Sequence, residues 1–151
     1  MKFFVYGTLM NKYRENIEDV NRSEMRFLGK GKIEGELFDL GEFPGVVEKQ
    51  GEYVYGEVYE IRNSTDVLTK FDKYEEFDSK HPAQSLFIRR KANVEMSNGR
   101  TICASVYFYN GNTQGLRKIS SGRWSMPKEN SVPETLNYDT VREMAPSRRL
   151  K

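Results

Sequence analysis

The sequence has 151 residues and a formal net charge of +2, with 24 Lys and Arg against 22 Asp and Glu. Mixed charge of this kind lacks the concentrated basic face of a nucleic-acid binder. One His rules out a His-rich metal site, and one cysteine rules out an internal disulfide.

The length is that of one domain, and nine Phe and nine Tyr can fill much of a core although apolar residues make up only 37% of the chain. Cys103 is expected as a small buried hydrophobe in a strand, and a lone thiol fits a reducing compartment. The opening Met-Lys-Phe-Phe-Val-Tyr-Gly carries too short an apolar run for a signal peptide or a spanning helix. The chain is therefore expected to be soluble and cytoplasmic, with no membrane and no nucleic acid among its partners.

In chain order, residues 3–6 read as a buried aromatic strand that Gly7 ends in a tight turn. Residues 12–23 are polar, a loop or short surface helix. Residues 27–40 read as one long strand with bulges or close backbone approaches at Gly29, Gly31 and Gly35; Ile33, Gly35, Leu37 and Asp39 share one side. A turn is expected over residues 41–45, with Phe43-Pro44 inside it, and a strand over 53–61. Asn63-Ser64-Thr65-Asp66 is a helix-start signal, and Val67, Leu68, Phe71 and Tyr74 follow it at helical spacing. Residues 78–84 read as a loop. Strands over 86–96 and 101–109 flank Asn98-Gly99, a strong hairpin signal because both residues tolerate positive φ. Residues 111–118 are a loop or short helix. From Ser125 the chain is a polar tail holding Pro127, Pro133 and Pro146, with room for one short helix over 136–144. The order predicts an α+β fold, a small mixed or antiparallel β-barrel carrying a few short helices. It divides as a domain over 1–124 and a polar extension over 125–151.

Two features stand out chemically. Glu75 lies four residues after Phe71, seven after Leu68 and eight after Val67, which places it on the apolar face of its predicted helix. A carboxylate there is either a candidate acid/base whose pKa burial raises, or a boundary residue paired with an arginine such as Arg89 or Arg90. Tyr6-Gly7-Thr8-Leu9 follows a strand end, where successive backbone N–H groups can converge on an anion; an ordinary turn is the alternative. His81, before Pro82 in a polar loop, reads as a surface residue. Gly29-Lys30-Gly31 has the wrong spacing for a phosphate loop. No metal, haem or nucleotide motif is present, and no cofactor is expected.

Taken in order, the motifs resemble those of the gamma-glutamylcyclotransferase-like family, including the gamma-glutamylamine cyclotransferase type and small bacterial relatives. Phe4-Val5-Tyr6-Gly7-Thr8-Leu9 is similar to that family's strand and YGTL opening. Gly35-Glu36-Leu37-Phe38-Asp39-Leu40 with Phe43-Pro44 resembles its glycine strand and proline turn, and Val54-Tyr55-Gly56-Glu57-Val58-Tyr59 its V-x-G-x-x-Y strand. Residues 68–75 are similar to L-x-x-L-D-x-x-E, Phe87-Ile88-Arg89-Arg90 to Y-x-R-R, Ala104-Ser105-Val106-Tyr107 to A-x-V-Y, and residues 119–124 to I-x-x-G-D-W. The chain differs from the pattern at three places: Glu76 where glycine usually follows the glutamate, Phe87 where tyrosine stands, and Arg123 where aspartate precedes the tryptophan.

The resemblance implies a β-barrel of that family's type and a cofactor-free reaction releasing 5-oxoproline from a small γ-glutamyl substrate. It implies Glu75 as the acid/base and the backbone of Tyr6, Gly7, Thr8 and Leu9 as the substrate cradle. A non-catalytic small-molecule binding module on the same fold, or an interaction domain with Glu75 salt-bridged, are the rival classes. The leaving amine and the oligomeric state stay open.

Overall fold

The computed structural model describes residues 1–7, 25–62, 69, 72, 78 and 80–124. Eight strands lie among them: β1 (Lys2–Val5), β2 (Met25–Glu34), β3 (Glu36–Asp39), β4 (Pro44–Val47), β5 (Tyr53–Ile61), β6 (Phe87–Met96), β7 (Thr101–Tyr109) and β8 (Arg117–Lys118). They form one sheet in the order β1-β5-β2-β6-β7-β4-β3-β8. A parallel pairing of β1 with β7, at Phe3 and Ser105, closes β1, β5, β2, β6 and β7 into a five-stranded barrel. The expected barrel class is therefore found, and it is mixed: β4 also runs parallel to β7, at Val46 and Phe108.

Strand alternation fills the barrel. Val54 and Val58 of β5, Ile33 of β2, Val94 of β6 and Val106 of β7 are all fully buried, together with Phe3, Phe4 and Tyr59. Glycines set the tight corners. Gly31 and Gly56 pair across β2 and β5. A Cβ on Gly31 would lie 2.7 Å from Val94 Cγ1, and one on Gly56 would lie 2.2 Å from the Val5 carbonyl oxygen. With no Cβ at these two positions, β6 and β1 can fold closely over the β2–β5 pair and the sheet can close on itself.

Four expectations need correction. The long strand over 27–40 is two strands: Gly35 hands its N–H to the Glu52 carbonyl at 2.8 Å, and the chain then leaves β2 to pair β3 with β4. Pro44 and Gly45 are not turn residues but open β4, which a proline can do because the first residue of a strand need not donate to the ladder. Cys103 lies in β7 as expected but is exposed, because alternation turns Ala104 inward and leaves Cys103 beside Asn93 on the outer face. The Asn98-Gly99 hairpin is present, with Gly99 at φ 87°. The fourth correction is at residues 111–118, which end in the short strand β8 instead of a loop or short helix. Residues 78–84 end in a 3₁₀ turn at Pro82–Gln84. The predicted helix that starts at Asn63-Ser64-Thr65-Asp66 and carries Glu75 is described only at Thr69 and Asp72, both helical. The expectations for residues 12–23 and 125–151 fall outside the described residues. No helix among the described residues is long and apolar enough to cross a membrane.

Burial at the end of β7 makes stability pH-dependent. The Tyr109 hydroxyl is pushed up to about 12 from its ordinary 10.0 by burial. A folded value above the unfolded one means that this contribution is complete below pH 10 and is lost as the pH rises toward 12. Within that window each unit costs about 1.4 kcal/mol. Urea unfolding at pH 9 and pH 11 is expected to show a larger alkaline loss in the native protein than in Tyr109→Phe; equal losses would contradict it.

Candidate functional site

The site begins at the seam where β1 gives way to β4 along one edge of β7. Parallel pairing of β1 with β7 is confined to Phe3, and that of β4 begins at Val46. Between them the buried Tyr6 side chain takes the place of the missing rung. Its hydroxyl donates to the Tyr107 carbonyl at 2.5 Å and accepts the Val46 N–H at 3.3 Å. A buried backbone group left without a partner would cost about 1–3 kcal/mol, so a tyrosine hydroxyl that satisfies two of them pins the strand end firmly. Gly7 follows directly. A Cβ there would lie 2.9 Å from Pro44 Cγ, so the close passage of the chain over the start of β4, rather than a positive φ, calls for glycine.

The second half of the site is a charged cluster that meets β7 at Tyr107. Arg89 of β6 and Tyr107 of β7 are directly opposed in the register, and both reach the helical Asp72. Arg89 Nη1 donates to both Asp72 oxygens, at 2.8 and 2.9 Å, and the Tyr107 hydroxyl donates to Oδ1 at 2.5 Å. The ion pair is largely withdrawn from water, with about a fifth of each side chain exposed (20% for Arg89, 18% for Asp72). Hydrogen bonds to an ionised carboxylate are among the stronger kinds in proteins. The next arginine, Arg90, points the other way and meets Glu48 at 3.6 Å on the exposed side, as alternation requires.

Tyr107 thus joins two segments. Its carbonyl holds Tyr6, the residue before Gly7, and its hydroxyl holds Asp72, three positions before Glu75 in the sequence. Of the residues singled out from the sequence, Tyr6 and Gly7 are described; Thr8, Leu9 and Glu75 lie outside the described residues. The sequence reading overlooked Asp72 and Tyr107 as a unit. The alternation of the two strands flanking Asn98-Gly99 puts positions 89 and 107 on one face, but nothing in it points to Asp72. Tyr107→Phe is expected to cost about 1.5–3 kcal/mol, the range for a hydrogen bond to a charged group. Chemical denaturation checks this, and a cost under about 0.5 kcal/mol, the level of a neutral surface change, would show that the bond contributes little.

Two of the departures from the family pattern have structural accounts. Phe87 is buried in an aromatic cluster, 5.9 Å from Phe43 and 6.0 Å from Tyr109 between ring centroids, where a hydroxyl would need a partner. Arg123 lays its guanidinium over the Tyr55 ring at 4.0 Å, a role aspartate cannot fill. Among the described residues no group of three or more His, Cys, Asp or Glu side chains is placed to hold a metal ion. His81 is exposed and bonded to Asp78, whose pKa is lowered chiefly by that side-chain bond.

Comparison with known proteins bears on this arrangement. The family model described as gamma-glutamyl cyclotransferase, AIG2-like, matches residues 3–126. Among solved structures, YkqA from Bacillus subtilis is 27% identical with a TM-score of 0.60; the match covers 82% of this chain and 39% of that one, so the chain spans about two fifths of that protein. The solution structure of ytfP from Escherichia coli is 26% identical with a TM-score of 0.58, covering 82% of this chain and 96% of that one. An aig2-like protein (ggact) from Mus musculus shares the fold at 23% identity and a TM-score of 0.62, over 85% of this chain and 97% of that one. No curated protein matches the sequence.

Proposed function

The chain belongs to the gamma-glutamyl cyclotransferase, AIG2-like family, and from that premise we propose that it is a cyclotransferase acting on a γ-glutamyl amine or a γ-glutamyl amino acid or peptide. The α-amine of the γ-glutamyl group attacks its own γ-carbonyl, the ring closes, and 5-oxoproline leaves together with a free amine. The substrate carries both reacting groups, so the protein's task is to hold a near-attack shape. Glu75 takes the proton of the attacking amine and returns it to the departing nitrogen, general base and then general acid. Backbone N–H groups of Tyr6, Gly7, Thr8 and Leu9 receive the substrate's carboxylate or the developing oxyanion. No cofactor takes part in this scheme. The single thiol and the reaction's soluble substrate are consistent with a cytoplasmic setting.

The observation that carries the reading is the convergence on Tyr107. Substrate cradle and acid/base have to meet at one point, and the segment that leads into Gly7 is fastened to Asp72 through that one residue. Arg89 and Tyr107 then act as positioning residues, since they hold Asp72, three positions before Glu75 in the sequence. Incubation with a panel of γ-glutamyl compounds, scoring bound ligand and released 5-oxoproline in the same samples, tests the proposal. Release from at least one compound is expected. Saturable binding without release across the panel would instead identify a binding module on this fold.

A further inference from the structure

The backbone around Gly7 rests on β4. A Cβ on Gly7 would lie 2.9 Å from Pro44 Cγ and 3.0 Å from Pro44 Cδ, and the Tyr6 hydroxyl accepts the Val46 N–H at 3.3 Å. Where β4 stands therefore decides where Tyr6 and Gly7 stand. β4 is delivered by the turn that joins it to β3, which closes with a hydrogen bond from the Leu40 N–H to the Phe43 carbonyl at 3.0 Å. Pro44 has no N–H, so β4 begins without a donor to the ladder, and the turn needs a hold from elsewhere.

Asp39 supplies it. This residue stands directly opposite Pro44 in the β3–β4 register and is 4% exposed. Its Oδ1 accepts the Gly41 N–H at 2.8 Å, the two-residue reach of an Asx turn. That bond holds Gly41 at φ 105°, where the chain reverses toward Phe43 and Pro44. Its Oδ2 accepts from Arg117 Nη2 of β8 at 2.6 Å, so both oxygens of a buried carboxylate are satisfied. The residue after Pro44 is packed just as tightly: a Cβ on Gly45 would lie 2.8 Å from Tyr109 Cβ of β7. The start of β4 is thus fixed between β7 and the turn that Asp39 builds.

We propose that Asp39 is a positioning residue for the substrate cradle: by fixing the turn into Pro44 it sets where the Gly7 backbone meets the substrate. The kinetic consequence rests on the cyclotransferase reading; the mechanical link from Asp39 to Gly7 does not. Asp39→Ala removes the acceptor for the Gly41 N–H. Asp39→Asn keeps one, and the exposed Arg117 can turn into solvent. Gly99→Ala is the control for backbone strain away from the site, since Gly99 lies in the hairpin at the opposite end of β7, at φ 87° with nothing within 4 Å of a Cβ. All variants are compared as full chains well below their thermal midpoints. Amide hydrogen exchange at Val46, taken relative to Val58 in the barrel so that a global loss of stability cancels, is expected to quicken at least about tenfold in Asp39→Ala and to stay within about threefold of native in Asp39→Asn and Gly99→Ala. For the γ-glutamyl compound that the native protein turns over best, kcat/KM is expected to fall at least about tenfold in Asp39→Ala, to recover in Asp39→Asn and to stay native in Gly99→Ala. A fall carried by KM assigns the cradle to the ground-state carboxylate, and one carried by kcat assigns it to the oxyanion. An exchange ratio unchanged in Asp39→Ala overturns the proposal. So does a native kcat/KM in that variant, or an Asp39→Asn no better than Asp39→Ala. If the native protein releases 5-oxoproline from no compound, the cyclotransferase reading fails and the exchange ratio alone decides whether Asp39 positions Gly7.

Discussion

Glu75→Gln is expected to lower turnover by about 100-fold or more, the low end of a general acid–base contribution, while the protein folds normally. The amide keeps the shape of the carboxylate and much of its hydrogen bonding but cannot carry a proton. Ring closure needs a neutral attacking amine and a protonated leaving nitrogen, and the variant supplies neither transfer. Affinity for a γ-glutamyl ligand should change little, because backbone amides rather than this side chain would hold the ground state. Stability should stay level or rise slightly, as active sites often hold poorly solvated groups. Turnover and thermal midpoint measured on one sample decide the matter. Full turnover with a lowered midpoint would make Glu75 a structural ion-pair partner and remove the chemistry proposed for it.

A large structural effect is expected at Gly56. A Cβ there would stand 2.2 Å from the Val5 carbonyl oxygen and 2.8 Å from Phe4 Cζ. The first obstacle is backbone and cannot rotate aside, so Gly56→Ala must push β1 away from β5. Overpacking of this kind should cost about 3 kcal/mol, at the upper end of its usual range, and lower the thermal midpoint by about 6–12 °C. Turnover should fall with it, because Val5 leads directly into Tyr6 and Gly7. Gly51 provides the contrast: it lies at φ 86° with nothing within 4 Å, so an alanine there meets backbone strain alone, about 1–2 kcal/mol. A Gly56→Ala protein within about 1 kcal/mol of the native one, the cost of a typical substitution, would contradict the close approach of β1.

Much of the barrel was legible in the sequence because period-two alternation is a strong local signal. Ile33, Gly35, Leu37 and Asp39 do share a buried side, and the Asn98-Gly99 turn was readable from backbone chemistry alone. What alternation cannot show is which strand a residue pairs with. Residues 31–39 alternate without interruption, yet the pairing changes from β5 to β4 at Gly35; the glycine signals a bulge or close approach but not a change of partner. Pro44 misled for the same reason: its missing N–H fits a turn as well as it fits the first residue of β4. Cys103 was misjudged because burial was read from residue type instead of from its place between Ile102 and Ala104.

The candidate site divides along similar lines. Gly7 was legible as the end of its strand, but the Pro44 ring whose close passage calls for glycine there is distant in sequence and was not. The Asp72–Arg89–Tyr107 cluster was not, since it joins three elements and each residue alone looks like an ordinary surface or strand position. Asp39 is a further example: it reads as a strand residue but is buried, accepting the Gly41 N–H at 2.8 Å and pairing with Arg117 at 2.6 Å across 78 positions of sequence. Long-range polar contacts of this sort have no periodicity and become visible only with the fold.

The central claim is that the chain closes a γ-glutamyl group on itself. The most direct measurement is to follow one γ-glutamyl compound by mass spectrometry and quantify both products in the same reaction. The account predicts 5-oxoproline and free amine appearing in equal amounts, dependent on native protein and absent with Glu75→Gln. Free amine accompanied by glutamate instead of 5-oxoproline would mean that water, not the α-amine, attacks the carbonyl, and would contradict the account.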